Sequence, residues 1–237
     1  MSSHYPGHHP SSDMLRSYCA GELDDVVSIM VAAHINFCPE CQKQAARIDD
    51  ELAANALEYS SVEPSKPLDL AAMLEKATAS EQTAPPSPRD KILNTAPSDQ
   101  IKVSIRDRQI AVPPVLSGIV ERSGPWNHVV NELWQSPVKG HGHGYQVDFI
   151  YMYPGGTVPS HTHNGREITL VLDGSFSDSE GEYAAGDFLI KTSQDEHNPI
   201  SERGCLCLAA IDAPLHFTSG ISRLVNPFSQ LFFRSEA

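Results

Sequence analysis

Cationic charge is scarce in this sequence. Seventeen Lys and Arg stand against 30 Asp and Glu, for a formal net charge of −13. That balance excludes the basic surface with which a nucleic-acid binder neutralises phosphates. Long apolar runs are missing too. None approaches the roughly 18 residues that span a bilayer, and the opening MSSHYPGHHPSSD lacks the apolar core of a secretory signal. The expected compartment is the cytoplasm. Cysteine is sparse and odd in number, five in 237 residues. In a reducing compartment this argues against a disulfide framework and for thiols or metal ligands. Internal repeats and long low-complexity tracts are also absent.

What is present falls into three zones. Residues 1–78 read as helical, residues 79–99 as a linker rich in Pro, Ser, Thr and Ala, and residues 100–237 as short strands. In the first zone Ser11 or Ser12 can cap a helix that Gly21 ends, and Asp24 can cap a second carrying Val27, Met30 and Val31. Pro39 suits the first turn of a third, with Ala45, Ile48 and Leu52 on one face. A fourth short helix is expected in KPLDLAAMLEKA, where Leu70, Met73, Leu74 and Ala77 form an apolar stripe. Spacing alone makes that stripe a packing face for the other three helices. The third zone holds YQVDFIYMY, EITLVL, DFLIK and CLCLAAI, the pattern of a β-sandwich or barrel.

Two patterns point to metal. In HINFCPEC, His34, Cys38 and Cys41 form H-x3-C-x2-C. Thiolates and an imidazole suit tetrahedral zinc, and a small helical domain needs such a staple. His4, His8 and His9 can each supply the fourth ligand. Cys19 fits no ligand pattern and is expected in the core. The second pattern is GGTVPSHTHNGREITLVLDG. His161 and His163 are two apart on a strand and so point the same way. Asn164-Gly165 reads as a tight turn that folds Glu167 back beside them, with Gly155 and Gly174 permitting turns at either end. Glu167, Thr169 and Val171 share one face of the following strand; Ile168, Leu170 and Leu172 share the other. Gly186-Asp187 marks a later turn, and His197 beyond it completes a His3Glu set that suits zinc, iron, manganese or nickel. His141 and His143 repeat the H-x-H spacing without a following acid, among three glycines, and read as a solvated loop. Cys205 and Cys207 would share a strand face about 7 Å apart, too far for a good disulfide.

The string from Gly155 to Gly174 resembles the first cupin motif, G-x5-H-x-H-x3-E-x6-G, at every fixed position. The second cupin motif departs from its usual form, with Ala184-Ala185-Gly186 in place of Pro-x-Gly. Residues from His8 to Cys41 resemble the zinc anti-sigma domain. The two in this order resemble the ChrR family of transcriptional negative regulators, over nearly the whole chain. That resemblance implies an N-terminal all-α zinc domain followed by an all-β cupin, a double-stranded β-helix or jelly roll. It implies a structural zinc on His9, His34, Cys38 and Cys41; His9 is chosen because it stands nine residues before Tyr18, as the family's ligand histidine does before its tyrosine. It implies a second zinc on His161, His163, Glu167 and His197. The partner implied is an extracytoplasmic-function sigma factor, kept from core RNA polymerase until singlet oxygen or an organic hydroperoxide triggers release through the cupin. Leu70, Met73 and Leu74 would then grip sigma rather than pack internally.

The charge suits that partner, since residues 1–78 carry five Lys and Arg against 12 Asp and Glu. A Pro-rich linker would let the two domains move apart. Two rivals remain to be weighed. A cupin metalloenzyme, such as a dioxygenase, has no need of the H-x3-C-x2-C domain, and a zinc DNA-binding module needs a basic face that the acidic first zone lacks. A non-enzymatic regulator is the expected function.

Overall fold

The computed structural model describes residues 6–59, 71, 100–140 and 144–218. The expected fourth-helix residues Leu70, Met73 and Leu74, the linker 79–99, and His141 and His143 lie outside the described residues. No described helix is long and apolar enough to cross a membrane.

Local chemistry sets the helix starts. Helix α1 is Ser12–Cys19; the Ser11 hydroxyl accepts from the Met14 N–H, and Gly21, at φ +70, turns the chain away. Helix α2 is Asp25–Phe37, capped by the Asp24 carboxylate, which accepts from the Val26 N–H. Helix α3 is Pro39–Tyr59, entered through its proline. Ala45 and Ile48 are buried on α3 as the spacing predicts. On α2, Val26, Val27, Met30, Val31, Ala33 and His34 are all buried, which is more than one face. A helix apolar most of the way round is covered on more than one side.

The second cover is the sheet. After the hairpin β1 (Ile101–Ile105) and β2 (Arg108–Val112) comes a short helix α4, Ser117–Glu121. Then follow β3 (Asn127–Val130), β4 (Leu133–Val138), β5 (Gln146–Met152), β6 (Gly156–Thr157), β7 (His161–His163) and β8 (Glu167–Ser177). The described strands end with β9 (Glu182–Ala184), β10 (Phe188–Lys191), β11 (Ile200–Ser201), β12 (Cys205–Ile211) and β13 (Leu215–Phe217). The large sheet runs β3-β4-β5-β12-β8-β11-β6; β9 and β10 also pair with β8, and β13 pairs with β7. This curled antiparallel sheet is the expected cupin architecture.

Strand β12 is buried on both faces, which is why CLCLAAI reads as an unbroken apolar run. Its alternation sorts two cores. Leu206, Leu208 and Ala210 join Ile168, Leu170 and Leu172 of β8 in a cluster that includes Leu15, Val27, Met30 and Val31 of the helices. Cys205 and Cys207 point the other way, into a cluster with Leu133, Met152, Val171 and Leu189. Both are free thiols on one face, as the spacing predicts. The helices therefore lie on the outer face of the barrel wall. Helices and barrel thus share one hydrophobic cluster.

Candidate metal centres

In the helical zone the chain brings His9, His34, Cys38 and Cys41 together, with all four ligand atoms within 4.8 Å of one another. Cys38 ends α2 and Cys41 sits in the first turn of α3. The Cys41 N–H donates to Cys38 Sγ at 3.4 Å, the contact by which a C-x2-C turn folds both sulfurs to one side. His34 lies one helical turn before Cys38, and His9 comes in from the segment before α1. His9 Nδ1 stands 3.4 Å from His34 Nε2, 3.4 Å from Cys38 Sγ and 3.5 Å from Cys41 Sγ. His34 Nε2 stands 3.3 Å from Cys41 Sγ.

These separations test whether an ion fits. Bonds of about 2.05 Å to nitrogen and about 2.3 Å to sulfur give tetrahedral edges of about 3.4 Å (N–N) and about 3.6 Å (N–S). The observed edges match to within about 0.3 Å, so the donors suit a tetrahedral ion. The electrostatics agree. Burial, then the hydrogen bond and charge of Cys38, push the Cys41 thiol up to about 12. Paired thiolates there require a cation to compensate them. His34 is fully buried, and that burial holds it below the usual histidine range, neutral as a ligand must be. Its Nδ1 donates to the Gly186 carbonyl at 2.7 Å, which leaves Nε2 free for the ion.

The second cluster, His161, His163, Glu167 and His197, lies inside the barrel and meets the same distance criterion. His197 Nε2 is 3.0 Å from His161 Nε2 and 3.1 Å from His163 Nε2. Glu167 Oε2 is 3.0 Å from His163 Nε2 and 3.8 Å from His197 Nε2. Edges near 3.0 Å match neighbouring positions about 90° apart around an ion with bonds of about 2.1 Å. Burial would raise the Glu167 carboxyl, but the His163 hydrogen bond and the charges of the three histidines hold it at about 2. Burial brings His161 down to about 4. An ionised carboxylate beside a neutral imidazole is the protonation pattern that ligation needs.

The route to this geometry differs from the expected hairpin. Strands β7 and β8 do not pair; β7 pairs with β13, and β8 lies between β12 and β10. Turn chemistry at Asn164-Gly165 redirects the chain without choosing its partner strand, and Glu167 still reaches the histidines. Gly174 is no turn either. It sits within β8, at φ +72, where a Cβ would fall 2.0 Å from the Gly204 carbonyl oxygen. His197 is placed by its backbone, which exchanges two hydrogen bonds of 3.1 Å with His161.

Several supporting groups escaped the sequence. The Thr169 hydroxyl donates to Glu167 Oε1 at 3.1 Å, leaving Oε2 for the histidines. His161 Nδ1 donates to the Pro159 carbonyl at 2.8 Å. Asp178 Oδ2 and His197 Nδ1 are buried 3.5 Å apart, with no hydrogen-bond partner among the described residues. Lys191, also buried, pairs with Asp178 at 3.5 Å and with Glu180. Asp178, just past the end of β8, and Lys191, at the end of β10, carry no sequence signal because they meet only in the fold. An open cleft of about 490 Å³, lined in part by Ser160, Asp178, Glu196 and His197, lies beside this centre.

A family model described as the ChrR Cupin-like domain matches residues 120–213. The anti-sigma-E factor ChrR of Cereibacter sphaeroides is 31 % identical over 228 residues, covering 94 % of this chain and 98 % of its own. A crystal structure of Rhodobacter sphaeroides SigE in complex with the anti-sigma ChrR aligns with a TM-score of 0.56 and 26 % identity. It covers 86 % of this chain and 98 % of that one.

Proposed function

This chain belongs to the family of the anti-sigma factor ChrR, and from that premise we propose that it sequesters an extracytoplasmic-function sigma factor and blocks its access to core RNA polymerase. It is a regulator, not an enzyme. The match to a named anti-sigma factor carries the proposal, because it covers 94 % of the chain and so extends well beyond the cupin.

Residues 1–78 are the sigma-binding zone, 79–99 the linker and 100–237 the cupin sensor. In the first, His9, His34, Cys38 and Cys41 hold zinc. Bound zinc here is a redox-inert crosslink. The four side chains tie the segment before α1 to the α2–α3 junction and so set how the three helices present themselves. Leu70, Met73 and Leu74 add an apolar grip on sigma, and the acidic charge of this zone favours a basic partner. In the barrel, His161, His163, Glu167 and His197 hold a second divalent ion, zinc by family likeness. The cleft beside His197 supports a sensing role, since it admits a small oxidant such as singlet oxygen or an organic hydroperoxide. The absence of a membrane-spanning helix among the described residues is consistent with a cytoplasmic site of action.

The test is reconstitution. Zinc-loaded, reduced protein mixed with its cognate sigma factor should co-elute as a complex and suppress run-off transcription. Failure to form a complex under those conditions refutes the function.

A further inference from the structure

We propose that the barrel turn at Gly186-Asp187 is the outer support of the helical metal site, so that Gly186 and Asp187 are positioning residues for His34 and His9. This rests on the metal-binding part of the function proposed above.

The contacts converge on two of the four candidate ligands, His34 and His9. On one side the Gly186 carbonyl accepts from His34 Nδ1 at 2.7 Å. Metal-ligating histidines are commonly oriented by such an acceptor on the far ring nitrogen. His34 lies in a helix, and this acceptor lies 152 residues further along the chain. On the other side Asp187, only 2 % exposed, holds the segment that carries His9. Its Oδ1 accepts from the Gly7 N–H at 2.6 Å and the His8 N–H at 3.0 Å. Its Oδ2 accepts from the Ala184 N–H at 2.8 Å, which fixes the carboxylate in its own turn. The Phe188 N–H donates to the His8 carbonyl at 3.0 Å. The backbone groups of residues 7 and 8 thus make three hydrogen bonds to the barrel, two to the Asp187 carboxylate and one to the Phe188 N–H, immediately before His9. The fit is tight, and Gly186 is required there. At φ +97, a Cβ on it would stand 2.7 Å from Pro6 Cγ and 2.9 Å from Phe37 Cβ.

The same turn opens β10. Phe188 packs its ring 5.9 Å from that of His34, and Lys191 lies in register with barrel ligand Glu167. Lys191 also pairs with Asp178, which faces His197. One four-residue strand, about 10 Å long, separates the support of one ion from the support of the other.

The experiment uses the full-length chain with cobalt or zinc. Wild type, Asp187→Ala and Asp187→Asn are titrated against a chelator, and the thiolate-to-cobalt charge-transfer band reports the Cys38–Cys41 site alone. Asp187→Ala should weaken that site about 10- to 100-fold and alter its band, while the His161/His163/Glu167/His197 site keeps its wild-type affinity. Asp187→Asn retains one acceptor oxygen for Gly7 and His8, so it should recover part of the loss. Wild-type affinity and an unchanged band in both variants overturn the inference. Equal loss at both sites in both variants also overturns it, since the contact would then be general scaffolding. Absence of the band in wild type instead refutes the metal-binding premise.

Discussion

Met30→Ala asks whether helices and barrel fold as one unit. Met30 is fully buried on α2, within the cluster that also holds Phe149, Leu170 and Leu208 of the barrel wall. Truncating a buried methionine costs about 2–5 kcal/mol, through lost burial and the cavity left behind. Taking about 3 kcal/mol, and about 2–4 °C per kcal/mol for a chain of this size, the midpoint should fall by about 6–12 °C. The chain supplies its own reporter, because both tryptophans, Trp126 and Trp134, lie in the barrel zone. Thermal unfolding of metal-loaded protein followed by tryptophan fluorescence should move down with the helical far-ultraviolet signal. A fluorescence midpoint unchanged in Met30→Ala, while the helical signal shifts, would refute the shared core.

Three further outcomes are expected. Cys38→Ser should lose one equivalent of zinc and sigma inhibition together, measured by metal analysis and run-off transcription on the same preparation. His161→Ala should lose the barrel ion yet still bind sigma, with release by hydroperoxide blunted; loss of sigma binding in folded protein would contradict the division of roles. Asp178→Asn removes a negative charge facing His197 Nδ1, so barrel metal affinity should drop about 10-fold, read by two-site titration with the helical site unchanged.

The features legible in the sequence were those whose physics is local. Ser11, Asp24 and Pro39 mark helix starts because a cap is made within three residues. His161, His163 and Glu167 announce a site because strand period and ligand chemistry act over seven positions. Pairing was not legible. Asn164-Gly165 says that the chain bends, while the partner of β7 is β13, some fifty residues on. Gly174 looked like a turn because glycine has two uses, and its actual one, close approach to Gly204, depends on another strand. The second cover of α2 was not legible either, since spacing marks Val27, Met30 and Val31 as a face while the fold buries Val26 and Ala33 as well. Ile168, Leu170 and Leu172 formed that cover's face, but nothing in their spacing says that they meet helices rather than other strands.

The strap of residues 6–10 has a topological consequence. Its backbone is fastened to the turn before β10, and a bound ion would fasten its histidine to the junction of α2 and α3. With the ion in place these attachments close a loop whose last link is the metal. A chelator would open that loop and loosen the grip between helices and barrel, although the barrel contributes none of the four ligands.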